Sequence, residues 1–174
     1  MTFWKLLWHN NNILEQQNKT IKNKILIKDF NYDNKKINIC ISKDKKIDLY
    51  ALEELCDTVG WVRRPLKKVK IAIQNSFLII SLSYQEKKEK RLIAFARATS
   101  DNTFNATIWD VVVHPDFQRK GLGKILIQEV IKSLRYSDIN TITLFADPQV
   151  LKFYTNLGFI SDPDGVKGMF WYPN

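Results

Sequence analysis

Cysteine, histidine, glycine and proline are all scarce in this chain of 174 residues, which holds two, two, six and five of them. Cys40 and Cys56 cannot build a disulfide framework, and their spacing is not the C-x-x-C of metal or redox sites. His9 and His114 form no metal-ligand constellation with them. No uncharged apolar run approaches the roughly 20 residues of a membrane-spanning helix. There is no Pro/Gly/Ser linker and no internal repeat, so one domain with a short extension is the expectation. Hydrophobic residues make up 45% of the chain and aromatics 12%, enough to exclude wholesale disorder.

The net charge is +9, and it is unevenly placed. Residues 1–90 carry 18 basic and 10 acidic side chains, whereas residues 91–174 carry 9 and 8. Lysine outnumbers arginine 21 to 6, alongside abundant Asn and Ile, all of which AT-rich codons can encode. A solvated lysine surface therefore accounts for the charge as well as a nucleic-acid or anionic-membrane footprint does.

Met1 to Asn10 is apolar and aromatic but is followed by no small-residue cleavage site. Transit peptides are rich in Arg, and the first arginine here is Arg63. Residues 1–36, with their Asn, Lys and isolated hydrophobic patches, read as a poorly specified leader, and residues 37–174 as the structured domain.

Ile37, Ile39 and Ile41 alternate with polar residues, a strand signal. Asp48 is placed to cap a helix running to about Val59, ended by Gly60, and Pro65 to open a second helix. Ser76–Tyr84 and Arg91–Thr99 read as a hairpin and Ala106–Val113 as a third strand. Leu122–Arg135 has helical spacing, Asn140–Ala146 is a strand, and Pro148–Asn156 is a short helix opened by proline. Strands at Gly158–Phe159 and Met169–Tyr172 complete the list. This order predicts an α/β (α+β) fold with a mixed sheet and helices on both faces.

The chemistry is written most densely between Asp110 and Lys124. A strand ends, a loop with Gly121 and Gly123 follows, and an amphipathic helix begins. Glycines allow close approach of backbone to a ligand, and the first N–H groups of a helix have no internal acceptor. Those donors, the helix dipole and the cations Arg119, Lys120 and Lys124 make an anion cradle suited to a pyrophosphate. The plainer alternative is a strand-to-helix turn that needs glycine. A P-loop would require glycine at Gln118 and Ser or Thr at Ile125. A dinucleotide fingerprint would require glycine at Leu126, so neither motif is present.

Gln118-Arg119-Lys120-Gly121-Leu122-Gly123, just after Val113-His114-Pro115, resembles the Q/R-x-x-G-x-G/A signature of the GNAT N-acetyltransferases. Phe153-Tyr154-Thr155-Asn156-Leu157-Gly158-Phe159 resembles the second signature of that family. Arg97–Asp101, Phe104–Asp110, Thr143–Asp147 and Lys167–Pro173 look like the plastid group, which includes plant serotonin N-acetyltransferases, chloroplast protein acetyltransferases and algal plastid-encoded relatives. The resemblance covers about Ile37 to Pro173 and implies the GNAT acyl-CoA N-acyltransferase fold, with a mostly antiparallel sheet and a splayed parallel strand pair. Composition and the missing transit peptide fit a plastid-encoded, plastid-located protein.

The resemblance further implies that the pantetheine of acetyl-CoA, the co-substrate, pairs with the backbone of Val111, Val112 and Val113. Its pyrophosphate rests on Gln118, Arg119, Lys120, Gly121, Leu122, Gly123 and Lys124, mostly through backbone N–H groups, so that the side chain at Leu122 matters little. Tyr154 takes the place of the acid that protonates the leaving thiolate, against the plain reading of a packing residue. Asp147 is a base or an anchor for the ammonium substrate, or else the cap of the helix after Pro148. Asp110 is a second base candidate unless it pairs with Arg97, and His114 a weaker one. The acceptor is a small aromatic amine such as serotonin, a protein lysine or an N-terminal amine, attacked directly in a ternary complex. No metal and no nucleic acid are expected, and a homodimer is compatible with the sequence. The alternative function is a catalytically silent scaffold binding nucleic acid or protein through Arg63, Arg64, Lys67, Lys68 and Lys70.

Overall fold

The computed structural model describes residues 24–172. These fall into two units, one ending at Leu144 and one beginning at Phe145. The first is built on a six-stranded sheet in sequential order: β1 (Lys24–Tyr32), β2 (Lys35–Ser42), β3 (Leu78–Glu86), β4 (Glu89–Ser100), β5 (Asn105–Val113) and β6 (Thr141–Leu144). Neighbours are antiparallel except β5 and β6, which run parallel across the crossover helix α3 (Leu122–Tyr136).

Helices α1 (Leu49–Asp57) and α2 (Leu66–Asn75) lie between β2 and β3 in the chain. Asp48 caps α1 as its position predicts, its carboxylate accepting from the N–H of Tyr50 at 2.9 Å and of Ala51 at 3.3 Å. Leu52 and Leu55 of α1 and Ile73 of α2 pack with Ile79, Phe95 and Val112 from the sheet. Side chains alternate across a strand, so Ile80, Ala94 and Ala96, all fully buried, point to the opposite face. There α3 packs on β3 and β4 and buries Leu122, Leu126, Ile127, Val130 and Leu134.

The sheet begins earlier than the alternation of Ile37, Ile39 and Ile41 indicates. The part of the expected leader from Lys24 to Lys36 is β1, a turn and the start of β2; the rest of that leader lies outside the described residues. The turn is Asp33-Asn34, both left-handed with φ of 48° and 56°, as in the turns that match strand twist in two-residue hairpins. Register shifts on either side of Ile27 break the period-2 pattern, and Asp29 is left-handed as well. That irregularity hid the strand.

The second unit holds two 3₁₀ turns (Pro148–Val150 and Pro163–Gly165) and α4 (Leu151–Thr155). The strands expected at Gly158–Phe159 and Met169–Tyr172 are not formed among the described residues. Ile160, Met169 and Trp171 are largely exposed, and Asp162 and Asp164 are left-handed around Pro163. Without a neighbouring ladder, that stretch has no partner for its backbone groups as a strand.

Phe95 is 1% exposed at the centre of the α1–α2 core. Phe95→Ala is expected to cost about 3–5 kcal/mol, the range for truncating a buried aromatic. Urea unfolding with an unchanged slope and a midpoint lowered accordingly is the expected record, and an unshifted midpoint would contradict this core assignment.

Candidate active site

The parallel ladder joins Asn105–Ile108 to Thr141–Leu144 and stops there, whereas β5 runs on to Val113. The β4–β5 register shifts between Phe95 and Arg97, so that Asp110 and Val111 together face Ala96 in a bulge. Asp110 is left-handed with φ of 52°, a conformation that costs a non-glycine residue energy. Its side chain offsets that cost. Arg97 Nε donates to Oδ2 at 2.5 Å and Arg64 Nη1 to Oδ1 at 3.1 Å. Both carboxylate oxygens are occupied by guanidinium groups, so Asp110 is a structural clamp, as the Arg97 pairing considered from the sequence requires. No sequence spacing signals the Arg64 contact, because it spans 46 positions.

After β5, His114 Nδ1 accepts from the N–H of Asp116 at 3.3 Å and caps a 3₁₀ turn, Pro115–Phe117. The loop then passes two left-handed residues, Arg119 (φ 56°) and Gly121 (φ 83°). Left-handed residues in a turn make the backbone concavities that bind anions. A Cβ placed on Gly121 meets nothing within 4 Å, so glycine is needed for its dihedral rather than for space inside the protein. The first bond of α3 runs from Ile125 N–H to Gly121 C=O at 3.1 Å, so the N–H groups of Leu122, Gly123 and Lys124 precede the helical ladder.

The candidate cofactor residues take distinct places. Val112 is buried in the core, and Val111 and Val113 are half-buried on the part of β5 beyond the parallel ladder. Gln118 Nε2 donates to Val113 C=O at 2.9 Å, which makes Gln118 a brace of the loop. Arg119 and Lys124 are exposed, whereas the Lys120 ammonium lies over the rings of Phe30, Tyr32 and Phe117. Leu122 is fully buried, which corrects the expectation that its side chain matters little: its N–H precedes the helical ladder and its side chain belongs to the core.

In the second unit, Asp147 is exposed at the start of the 3₁₀ turn, and its carboxylate makes no capping hydrogen bond. The side-chain cap is therefore not formed. Tyr154 is 9% exposed, with Phe153 and Phe159 in edge contact at centroid distances of 4.9 and 5.8 Å. Burial, and secondarily the negative charge of Asp147, push its phenol above the ordinary tyrosine range. A phenol so placed holds its proton at neutral pH and can donate it. Among the described residues, no group of His, Cys, Asp and Glu is arranged to hold a metal.

Comparison with known proteins agrees with this geometry. The acetyltransferase (GNAT) family matches residues 46–159. A protein of Gracilaria tenuistipitata var. liui, named "Uncharacterized N-acetyltransferase ycf52", is 59% identical over 180 residues, covering 99% of both chains. The "GCN5-related N-acetyltransferase 2, chloroplastic" of Arabidopsis thaliana is 48% identical over 78% of this chain and 58% of its own length. A GNAT-family acetyltransferase from Streptococcus pneumoniae TIGR4 shares the fold, with a TM-score of 0.65 at 22% identity, covering 78% of this chain and 98% of that one.

Gly121→Val is expected to weaken CoA binding about tenfold or more, because a β-branched residue resists the left-handed backbone the loop needs. Calorimetry on the folded variant decides this, and unchanged affinity would remove the loop from the binding site.

Proposed function

The chain belongs to the GNAT family of N-acetyltransferases, and on that footing we propose that it transfers acetyl from acetyl-CoA to a primary amine by direct attack in a ternary complex. The observation that carries this reading is the cradle: a left-handed loop, three nearby cations and the start of a 15-residue helix, directly after a strand that outruns its parallel partner. These residues fit a pyrophosphate, with Arg119 and Lys124 supplying side-chain charge and Gly121–Lys124 backbone donors. Val111–Val113 offer the backbone edge for the pantetheine arm.

In the proposed step the neutral amine attacks the thioester carbonyl, forming the C–N bond. The tetrahedral adduct then breaks its C–S bond, and the electron pair leaves on sulfur. The Tyr154 hydroxyl gives its proton to that sulfur and is restored by the proton that the attacking nitrogen sheds as it becomes the neutral amide. Asp147, with an exposed carboxylate, attracts the cationic amine and takes its proton. A covalent route through Cys56 is disfavoured, because burial pushes that thiol up and away from the thiolate form. The acceptor set is an arylalkylamine such as serotonin, a protein lysine or an N-terminal amine, and an acceptor screen with thiol-release detection separates them. The similarity to a relative named chloroplastic supports a plastid location. The scaffold-only alternative is weakened, since two of its five cations, Arg63 and Arg64, are paired with Asp57 and Asp110.

Tyr154→Phe keeps the ring and removes the proton, so kcat is expected to fall about 100-fold or more, with acetyl-CoA affinity and melting temperature near wild type. Since burial and Asp147 raise the phenol pKa, wild-type kcat is also expected to show no alkaline fall below about pH 10. Wild-type turnover in the variant would reduce Tyr154 to a packing residue.

Asp147→Asn is expected to lower turnover at neutral pH while leaving acetyl-CoA affinity intact. The defect shrinks toward alkaline pH, where more of the amine is already neutral. A constant ratio to wild type from pH 6 to 9 would exclude the role in proton transfer.

A further inference from the structure

Strand β1 lies outside the residues matched by the acetyltransferase family, yet its side chains reach the loop that follows β5. Tyr32 stacks on Phe117 with ring centroids 4.4 Å apart, and Phe30 stacks on the same ring at 6.1 Å. The Tyr32 hydroxyl donates to Asp116 Oδ2 at 3.0 Å. Tyr84 closes the cluster, 5.7 Å from Phe117 and 5.8 Å from Tyr32. Over these rings lies the Lys120 ammonium, 6.0 Å from Phe30, 5.6 Å from Tyr32 and 5.8 Å from Phe117. The loop is thus gripped at three consecutive points: Asp116 by a hydrogen bond, Phe117 by stacking, and Lys120 by the negative faces of three rings.

That grip falls where the backbone is under strain. Arg119, between Phe117 and Gly121, is a non-glycine residue at φ 56°, and such residues persist only when their surroundings over-determine them. Tyr32, Tyr84, His114, Asp116 and Phe117 also line an open groove of about 290 Å³. The Tyr32 phenol is pushed up to about 12 by burial and by the hydrogen bond to Asp116, so the donor stays protonated throughout the working range.

We propose that Phe30 and Tyr32 of β1 are positioning residues of the pyrophosphate loop, holding Asp116, Phe117 and Lys120 so that the Arg119–Gly121 backbone is preformed for the anion. This rests on the reading of that loop as the acetyl-CoA cradle. Preforming a loop lowers the ordering entropy that binding must otherwise overcome, so the effect belongs to substrate binding and not to the chemical step.

The test compares acetyl-CoA with S-acetylpantetheine, which carries the same thioester without the pyrophosphate. Tyr32→Ala and Phe30→Ala are each expected to lower kcat/KM for acetyl-CoA about tenfold, through KM, with kcat within twofold. For S-acetylpantetheine the same variants should lose less than twofold. Tyr32→Phe keeps the rings and loses the hydrogen bond, so it folds as wild type and shows a smaller KM effect of the same kind. In a Lys120→Ala background, Tyr32→Ala should add less than it does alone, since the two act through one contact. Equal losses on both thioesters would make β1 a general structural support and overturn the proposal, as would no loss on either. Should wild type itself fail to prefer acetyl-CoA over S-acetylpantetheine, the cradle reading falls, and this proposal with it. A preference that Gly121→Val abolishes and the β1 variants leave intact would overturn only the proposal.

Discussion

The carboxylate of Asp110 is the junction on which the geometry of the first unit turns. Its left-handed backbone puts a bulge in β5, and its two oxygens join Arg97 of β4 to Arg64 of the segment before α2. A bulge bends and twists the strand that carries it. Here it lies just past the last residue paired with β6, so the ladder ends and the redirected strand leads into the loop. A neutral residue at 110 would leave Arg97, only 14% exposed in its side chain, without its anion. Loss of one partner from a charge pair removed from water costs more than the pair itself contributes. The ion pair is therefore better understood as fixing a conformation than as adding stability.

Part of the positive charge is committed elsewhere in the same manner. Arg63 is held by Asp57, Arg91 by Glu86 and Glu89, and Lys120 by aromatic rings. These arginine pairs are exposed, where water and salt screen them and they add little to stability. Their effect on the surface is to divide a nominally basic region into locally neutral patches. Arg119 and Lys124, flanking the start of α3, are exposed cations set beside unpaired backbone donors. Position, and not total charge, distinguishes the cradle from the lysine-rich remainder.

Where local rules dominate, the sequence was legible. Asp48 before an amphipathic run predicts a capped helix, and the cap hydrogen bonds are there. The strand-to-helix turn reads as one that needs glycine, and Gly121 there is left-handed with φ of 83°. The helical spacing of Leu122, Ile125, Leu126, Val130 and Leu134 predicts the buried face of α3, and all but the half-buried Ile125 are fully buried. Long-range pairing was less legible. β1 carries its hairpin turn in Asp33-Asn34, but register shifts disrupt the alternation that would announce it, and its aromatic side chains answer to a loop 84 positions away. The same limit applies to the C-terminal segment, whose Met169–Tyr172 run has the composition of a strand without the hydrogen-bonding partner that makes one. Of the candidate site, the left-handed loop and helix start were readable because a short glycine-containing motif fixes them. The Arg64–Asp110 contact was not, because it depends on the tertiary fold.

This contrast has a consequence for how the two halves of the chemistry tolerate change. Backbone donors are insensitive to most side-chain substitutions, provided the left-handed turns survive, so the proposed cradle would be vulnerable mainly at Gly121 and through whatever holds Arg119 in place. Proton transfer as proposed has no such redundancy, since it would depend on one hydroxyl, that of Tyr154, and its environment. Burial of Tyr154 raises its pKa and Asp147 adds to the rise, so the group stays protonated but becomes a weaker acid. In the proposed step the phenol has a base to donate to only as the C–S bond breaks and charge develops on sulfur. Under the proposed mechanism, the same burial that makes Tyr154 a poor acid toward water would confine its proton to the moment at which a thiolate forms.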